Sequence, residues 1–518
     1  LRNFDFVGFT LQYELCYTNV LNMLELGGIP LLASERGEND PIIIGGGPCA
    51  YNAEPIADFF DVLDIGEGEA MLPRFTRMYA KMKREGASRA EILRATSHLD
   101  GFYVPALYEV EYGADGTISS FEPKYDDIPR TVQKQIIADL DSVYFPDKFV
   151  MPYIETVHDR IVPEVYRGCI RGCRFCQAGM IYRPVREKSP DVLDAQCRRL
   201  YENTGFDEIS LCSLSISDYS RLGELTDKLL SWTDDKKVSL SLPSLRVDSF
   251  TKELMEKIST VRTSGITFAP EAGTQRMRDV INKNVTEEEV MRTCNKAFDN
   301  GWTTVKLYFM MGLPTETMED IEGIADLGMK VVEAFATNPN KQKGTSVQVS
   351  ISCSSFIPKP FTPFQWEPED SMESLRAKQK HLLESIPTKK IKVSYHETPT
   401  SLLEGVLARG DRRLSAVLYD AFKNGCKFDS WDEQFKFDVW MEAFRKNGID
   451  PYFYTQRRRD FSEVLPWDHL DYGITRKFLE RENIKAHENV TTPHCRIKCA
   501  GCGANMLNGG HCDARNKN

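Results

Sequence analysis

No stretch of the 518 residues approaches the roughly 18 consecutive apolar positions that a membrane-spanning helix needs. An excess of basic residues is missing too. Lysine and arginine number 65 against 76 aspartates and glutamates, a formal net charge of −11. That balance excludes a globally basic nucleic-acid binder and leaves only a local basic patch open. No initiator methionine and no signal-peptide pattern precede the strand-like Phe4–Thr10, so the chain reads as starting partway into a domain. A soluble, cytoplasmic protein with no membrane partner is expected. No sequence repeat is evident. With 41% apolar and 27% charged residues, the composition is that of an ordinary globular protein, and the length predicts two to four domains.

What the chain does have is cysteine. Fourteen are present, seven of them in two tight clusters. A secreted disulfide scaffold would be short and evenly stapled, whereas clustered cysteines without a secretory signal point to metal. The other seven, at 16, 49, 197, 212, 294, 353 and 426, sit in apolar stretches and are expected to be small buried hydrophobes.

Residues 1–70 read as an α/β fragment. The apolar run Pro41-Ile42-Ile43-Ile44 suits a strand buried on both faces, and Gly45-Gly46-Gly47-Pro48 follows as a loop where backbone can approach a ligand. From about 160 to 390 strands and helices alternate. Ser189 caps a helix with Pro190 at its first position and Gly205 at its end, and Thr286 with Glu289 forms a capping box. A further helix is expected over 250–259. Six β/α units in order imply a parallel sheet, with function at the C-terminal strand ends.

The loop Tyr166-Arg167-Gly168-Cys169-Ile170-Arg171-Gly172-Cys173-Arg174-Phe175-Cys176 has the spacing C-x3-C-x2-C. Three thiolates suit an iron–sulfur cluster, and they leave one iron of four open. The competing reading is a zinc loop completed by a distant fourth ligand. The segment resembles the signature loop of the radical S-adenosylmethionine (radical SAM) superfamily.

That resemblance implies a [4Fe-4S] cluster on Cys169, Cys173 and Cys176, with SAM bound at its open iron. It also implies reductive cleavage to a 5′-deoxyadenosyl radical and a reductant such as flavodoxin or ferredoxin. Phe175 would lie against the adenine. Ser215, in Leu214-Ser215-Ile216-Ser217-Asp218, would meet the SAM amino group, although the commoner Gly-Gly-Glu form is absent. Glu271 would bridge the ribose hydroxyls, and Lys283, twelve residues on, would hold the SAM carboxylate. Gly312 would let backbone approach the adenine, and Phe356–Phe364 would line the cavity mouth.

The N-terminal segment resembles the cobalamin-binding domain that precedes the barrel in B12-type members. The matching pieces are Ile44–Pro48, Asn52-Ala53-Glu54-Pro55 and Ile65-Gly66-Glu67-Gly68-Glu69. The Asp-x-His-x-x-Gly loop that ligates cobalt is missing, so cobalamin stays an open expectation. The whole is most like a bacterial subfamily of that class.

The expected fold class is therefore α/β, a partial (β/α)6 TIM-like barrel between two smaller parts. The expected organisation is a truncated B12-binding-like Rossmann domain at 1–100, a linker with short strands at 101–159 and the radical SAM barrel at 160–390. An α+β extension at 391–490 and a Cys-rich tail at 491–518 complete it.

In the tail, Cys495, Cys499 and Cys502 repeat the C-x3-C-x2-C spacing and Cys512 follows. Four thiolates favour structural zinc, with a second iron–sulfur cluster relaying electrons as the alternative. His494 or His511 stands ready to replace one cysteine, and an idle tail is the bland reading. Tyr452–Arg459 mixes aromatics with arginines and could stack on single-stranded RNA. Trp467–Asp471 offers a polar contact to substrate. Function is thus expected to be radical modification, by methylation or a similar step, of an unknown substrate, RNA or protein among the candidates. The alternative is a catalytically silent, metal-stabilised RNA-binding or assembly protein.

Overall fold

The computed structural model describes residues 1–154, 156–242, 266–341, 344–507, 510 and 512. Strands β1 (Phe6–Thr10), β2 (Ile42–Gly46) and β3 (Val62–Asp64) run parallel in that order, and β4 (Phe102–Tyr103) closes the sheet antiparallel to β3. The Ile42-Ile43-Ile44 run is buried throughout, because helices and loops cover both faces of the sheet. A hairpin of β5 (Tyr108–Tyr112) and β6 (Ile118–Pro123) follows, and then the short β7 (Val132–Gln133).

The barrel opens with residues 161–164, which bridge in parallel to 209–212. The hairpin β8 (Tyr166–Arg167) and β9 (Arg186–Glu187) frames the cysteine loop. Strands β10 (Glu208–Ser210) and β11 (Ser239–Ser241) are parallel. So are β12 (Ile266–Glu271), β13 (Thr304–Met311), β14 (Gln348–Ser355) and β15 (Ile391–Tyr395). Two parallel runs thus wall a partial β/α barrel. The array continues one strand past the boundary expected at 390. The helix expected over 250–259 lies outside the described residues.

Local signals act as chemistry requires. Ser189 accepts from Val192 N–H, Pro190 opens the helix 190–204, and Gly205 closes it in the left-handed region. Thr286 and Glu289 form their reciprocal capping box. A last short strand, β16 (Leu470–Asp471), pairs with β7. No helix among the described residues is long and apolar enough to cross a membrane.

The largest core ignores the expected division into an N-terminal domain and a C-terminal extension. Val7, Leu21, Ile43 and Phe59 pack in one cluster with Leu402, Val417, Phe444 and Phe478. Polar ties reinforce that seam. Asn52 Nδ2 donates to Ala408 O at 3.0 Å and Gly410 O at 2.9 Å, and Arg412 reaches Glu54 at 3.0 Å. The Asn52–Pro55 motif therefore fastens the two ends of the chain together.

Candidate functional site

The cysteine loop hangs between β8 and β9, and buried arginines hold it from several sides. Arg174 is fully buried. It donates to Asp279 O and Val280 O, to Glu482 Oε2 at 3.1 Å and to Val490 O. Asn282 Nδ2 donates to Gly172 O at 3.0 Å, and a Cβ on Gly172 would stand 2.8 Å from that same nitrogen. A side chain at 172 would therefore displace the Asn282 amide. Arg171 forms a two-pronged pair with Asp218 at 2.9 and 2.5 Å. Arg167, just before the loop, meets Glu69 at 2.5 Å, and Arg186 meets Glu67 at 2.7 Å, so the N-terminal Gly-Glu-Gly-Glu turn grips both sides of the hairpin.

Backbone donors point at the sulfurs. Arg171 N–H reaches Cys169 Sγ at 3.4 Å and Gly179 N–H reaches Cys176 Sγ at 3.3 Å. Burial first, and the neighbouring Cys173 second, push the Cys169 thiol up to about 11 and the Cys176 thiol up to about 12. Thiols so poised give up their protons only to a compensating positive centre, which a metal cluster supplies.

Cys169, Cys173 and Cys176 line one cavity of about 420 Å³ together with Phe175, Ser215, Glu271 and Lys283. Glu271 ends β12 at φ +69°, after a register shift between Phe268 and Glu271. A left-handed glutamate is costly, and such bulges re-aim side chains at functional rims. Its carboxylate accepts from Lys283 Nζ at 3.1 Å, and that ammonium lies 6.0 Å from the centre of the Phe175 ring. Ser215 Oγ donates to Asp218 Oδ2 at 2.8 Å, and the residue stands on the cavity wall. Arg171 and Gly179 of the loop also line it, and so do Leu214, Thr267, Phe268, Ala269, Val285 and Tyr308, which no spacing rule singles out.

Several expectations need correction. Gly312 is not among the lining residues. Its φ of +84° explains the glycine, and its N–H is taken by Glu316 Oε2 at 2.7 Å. Phe356, Phe361 and Phe364 are buried, and Lys359 between them pairs with Glu14 at 2.7 Å and Glu404 at 2.9 Å. That segment is a seam between the barrel and the first core, where apolar rings gain more from burial than from lining a mouth. The basic run is spent internally as well. Arg457 holds Glu463 at 2.7 and 2.6 Å, and Arg459 is buried against Arg409 O at 2.8 Å. Tyr454 is buried, whereas Tyr452 and Phe453 are half-buried and Arg458 is exposed. Trp467 donates to Gln365 at 2.9 Å and His469 stacks on Phe121, both inside the core. Of the scattered cysteines, Cys49, Cys197, Cys294, Cys353 and Cys426 are buried as expected, Cys16 is half-buried and Cys212 is exposed.

The glycine turns that resembled a cobalamin domain are filled by the chain itself. A Cβ on Gly47 would lie 2.9 Å from Leu11 O, and one on Gly66 would lie 2.3 Å from Gln135 O.

The tail packs against the cysteine loop. Cys495 N–H donates to Ile170 O at 3.0 Å. Cys495, Cys499, Cys502 and Cys512 line a second cavity, whose far wall includes Cys169, Ile170 and Arg183. Among the described residues no group of three or more His, Cys, Asp or Glu is placed to hold a single metal ion. His494 is not on this cavity wall, and His511 lies outside the described residues.

The radical SAM superfamily model matches residues 164–328, and a model described as the N-terminal part of radical SAM proteins matches residues 1–105. The "uncharacterized protein MJ0966" of Methanocaldococcus jannaschii is 31% identical over 430 residues, 82% of each chain. The chain belongs to the radical SAM superfamily. It is a radical SAM enzyme, and the cofactors of that family are a [4Fe-4S] cluster and SAM. A putative methylthiotransferase of the same organism, MJ0865, is 25% identical over 167 residues, 30% of this chain and 36% of that protein. Among solved structures, the radical SAM methyltransferase TsrM of Kitasatospora setae, with cobalamin and a [4Fe-4S] cluster bound, superposes at a TM-score of 0.49. It shares 11% identity and covers 86% of this chain and 88% of that one.

The residues present fit the family's cofactors. Three thiols converge with backbone N–H donors beside two of them, and the cavity has the volume of a nucleoside-sized ligand site. A carboxylate and an ammonium share its wall.

Proposed function

We propose that Cys169, Cys173 and Cys176 hold the [4Fe-4S] cluster and that the adjoining cavity binds SAM. The group bound there supplies the one-electron reductive cleavage of SAM to methionine and a 5′-deoxyadenosyl radical, which removes hydrogen from substrate. The observation that carries this reading is the single cavity shared by the three cysteines, Phe175, Ser215, Glu271 and Lys283.

Each residue then has a task. Lys283 offers a fixed ammonium to the amino-acid carboxylate of SAM, and Ser215 accepts from its amine. Glu271 orients the ribose hydroxyls, held in place by its strained backbone. Phe175 packs against the adenine. Arg171 and Asp218 keep the loop and the Ser215 turn at fixed separation, so that the nucleoside meets the cluster in one pose. Hydrogen abstraction by that radical opens an unactivated carbon of the substrate to modification. Methylation there takes its methyl group from a further SAM and needs a carrier such as cobalamin; without cobalamin, rearrangement or sulfur insertion is the outcome.

Anaerobic reconstitution followed by dithionite and SAM is expected to yield 5′-deoxyadenosine and methionine. Cys173→Ala is expected to bring that product below detection. Undiminished turnover in the variant would remove the loop from the reaction.

A further inference from the structure

The second cavity is defined by what surrounds it. Cys495, Cys499, Cys502 and Cys512 come to it from the tail, and Cys169 comes from the loop of the first site. One residue therefore stands on the walls of both cavities. The tail is docked at Cys495, Arg496 and Cys502. Cys495 N–H donates to Ile170 O at 3.0 Å, Cys502 O accepts from Thr475 N–H at 2.9 Å, and Arg496 meets Glu187 at 2.8 Å.

Between the two cysteine sets lies Arg183, buried, donating to Arg171 O at 2.7 Å and Gly179 O at 2.9 Å. Its Nη1 is buried with no hydrogen-bond partner. The guanidinium lines the cavity that the four cysteines enter, and Cys502 and Cys495 are its foremost electrostatic partners there. A closed zinc site asks for four sulfurs at about 2.3 Å from one point. The described cysteines make no such single-ion group. They ring a cavity of about 60 Å³, with the ligand spacing of the loop beside it.

We propose that Cys495, Cys499, Cys502 and Cys512 hold a second cubane, a [4Fe-4S] cluster ligated at all four irons, which delivers electrons to the cluster on Cys169, Cys173 and Cys176. Arg183 supplies positive charge between the two. The electron comes from a low-potential one-electron carrier protein of the flavodoxin or ferredoxin class. The carrier is oxidised by one electron as the tail cluster goes from 2+ to 1+. The tail cluster returns to 2+ as the neighbouring cluster takes that electron. No bond is made or broken in the relay. The role given to the first cluster rests on the function proposed above.

Metal and sulfide analysis of the anaerobically reconstituted full chain, with Mössbauer spectroscopy, tests the site directly. About eight irons and no stoichiometric zinc per chain are expected. The variant Cys169→Ala/Cys173→Ala/Cys176→Ala is expected to keep about four irons, with a dithionite-reduced EPR signal that SAM leaves unchanged, because every iron has a protein ligand. Cys499→Ala/Cys502→Ala is expected to keep about four irons whose signal does respond to SAM. About four irons per wild-type chain, with or without one zinc, overturns the proposal whatever the variants do. That result leaves SAM cleavage by dithionite intact, whereas eight irons without 5′-deoxyadenosine would sink the functional reading and keep the second cluster.

Discussion

Glu271 and Lys283 bring opposite charges 3.1 Å apart on the cavity wall, and each side chain is mostly withdrawn from solvent. A hydrogen bond to a charged group in such a place contributes about 1.5–3 kcal/mol. Glu271→Gln keeps the shape and removes the charge, so SAM affinity is expected to fall roughly tenfold or more in anaerobic equilibrium dialysis. Unchanged affinity would take Glu271 out of the ligand set. His469 gives a second prediction, this time for stability. Burial, and then the nearby Arg412, push it down to about 3, against an ordinary value near 6.5. Above about pH 6.5 both folded and unfolded states hold it neutral, and its contribution is full. As pH falls from there toward 3, only the unfolded chain takes the proton, so stability drops by a few kcal/mol over that window. His469→Phe is expected to flatten the fall in melting temperature between pH 7 and 5. Neither residue's environment could be read from its neighbours in sequence. The twelve-residue offset from Glu271 to Lys283 was legible only through the family resemblance, since a helix over Gln275–Val280 stands between the two.

At the scale of elements, the signals confined to a few residues were readable in advance. Ser189-Pro190 with Gly205, and Thr286 with Glu289, act through hydrogen bonds within one helical turn, and so their spacing decides the outcome. The cysteine loop is different. Its spacing is local, but its position depends on Arg174, which ties it to Glu482, 308 residues away. Removing one partner of a buried ion pair typically costs about 3–5 kcal/mol. Arg174→Ala is therefore expected to lower the unfolding free energy from denaturant titration by that amount and to release iron from the first site on gel filtration. The pair Arg174→Met with Glu482→Leu is expected to recover most of the stability, since no charge is then left buried alone. A loss confined to stability, with iron retained, would show that Arg174 does not position the loop. The same limit explains the misread aromatic segments. Phe356–Phe364 and Tyr452–Arg459 have the composition of a cavity rim and of a nucleic-acid surface, yet partners from other elements bury the phenylalanines of the first and Tyr454 and Arg459 of the second.

For the whole molecule, the first core joins residues 7–132 to residues 402–504 and takes in Met180, Ile181, Phe361 and Trp366 of the barrel. The barrel keeps separate clusters of its own, one on β12–β15 and one around residues 161–242. A chain ending at residue 390 would bare Leu21, Tyr51 and Phe59 to water, at about 25 cal/mol per Å² of apolar surface. Such a fragment is expected to lose the main cooperative transition in calorimetry and to aggregate. An intact transition would show that the N-terminal part is an independent domain.

The sequence by itself determined the chemistry near the cysteines and the β/α order, because thiol spacing, helix caps and buried-strand runs act over short separations. Only the tertiary structure decided which charges meet and which glycines are filled by their own chain. It also decided that the tail cysteines stand against the first site. Contacts across hundreds of residues depend on how cores pack, and the pattern of neighbours along the chain carries no record of that packing.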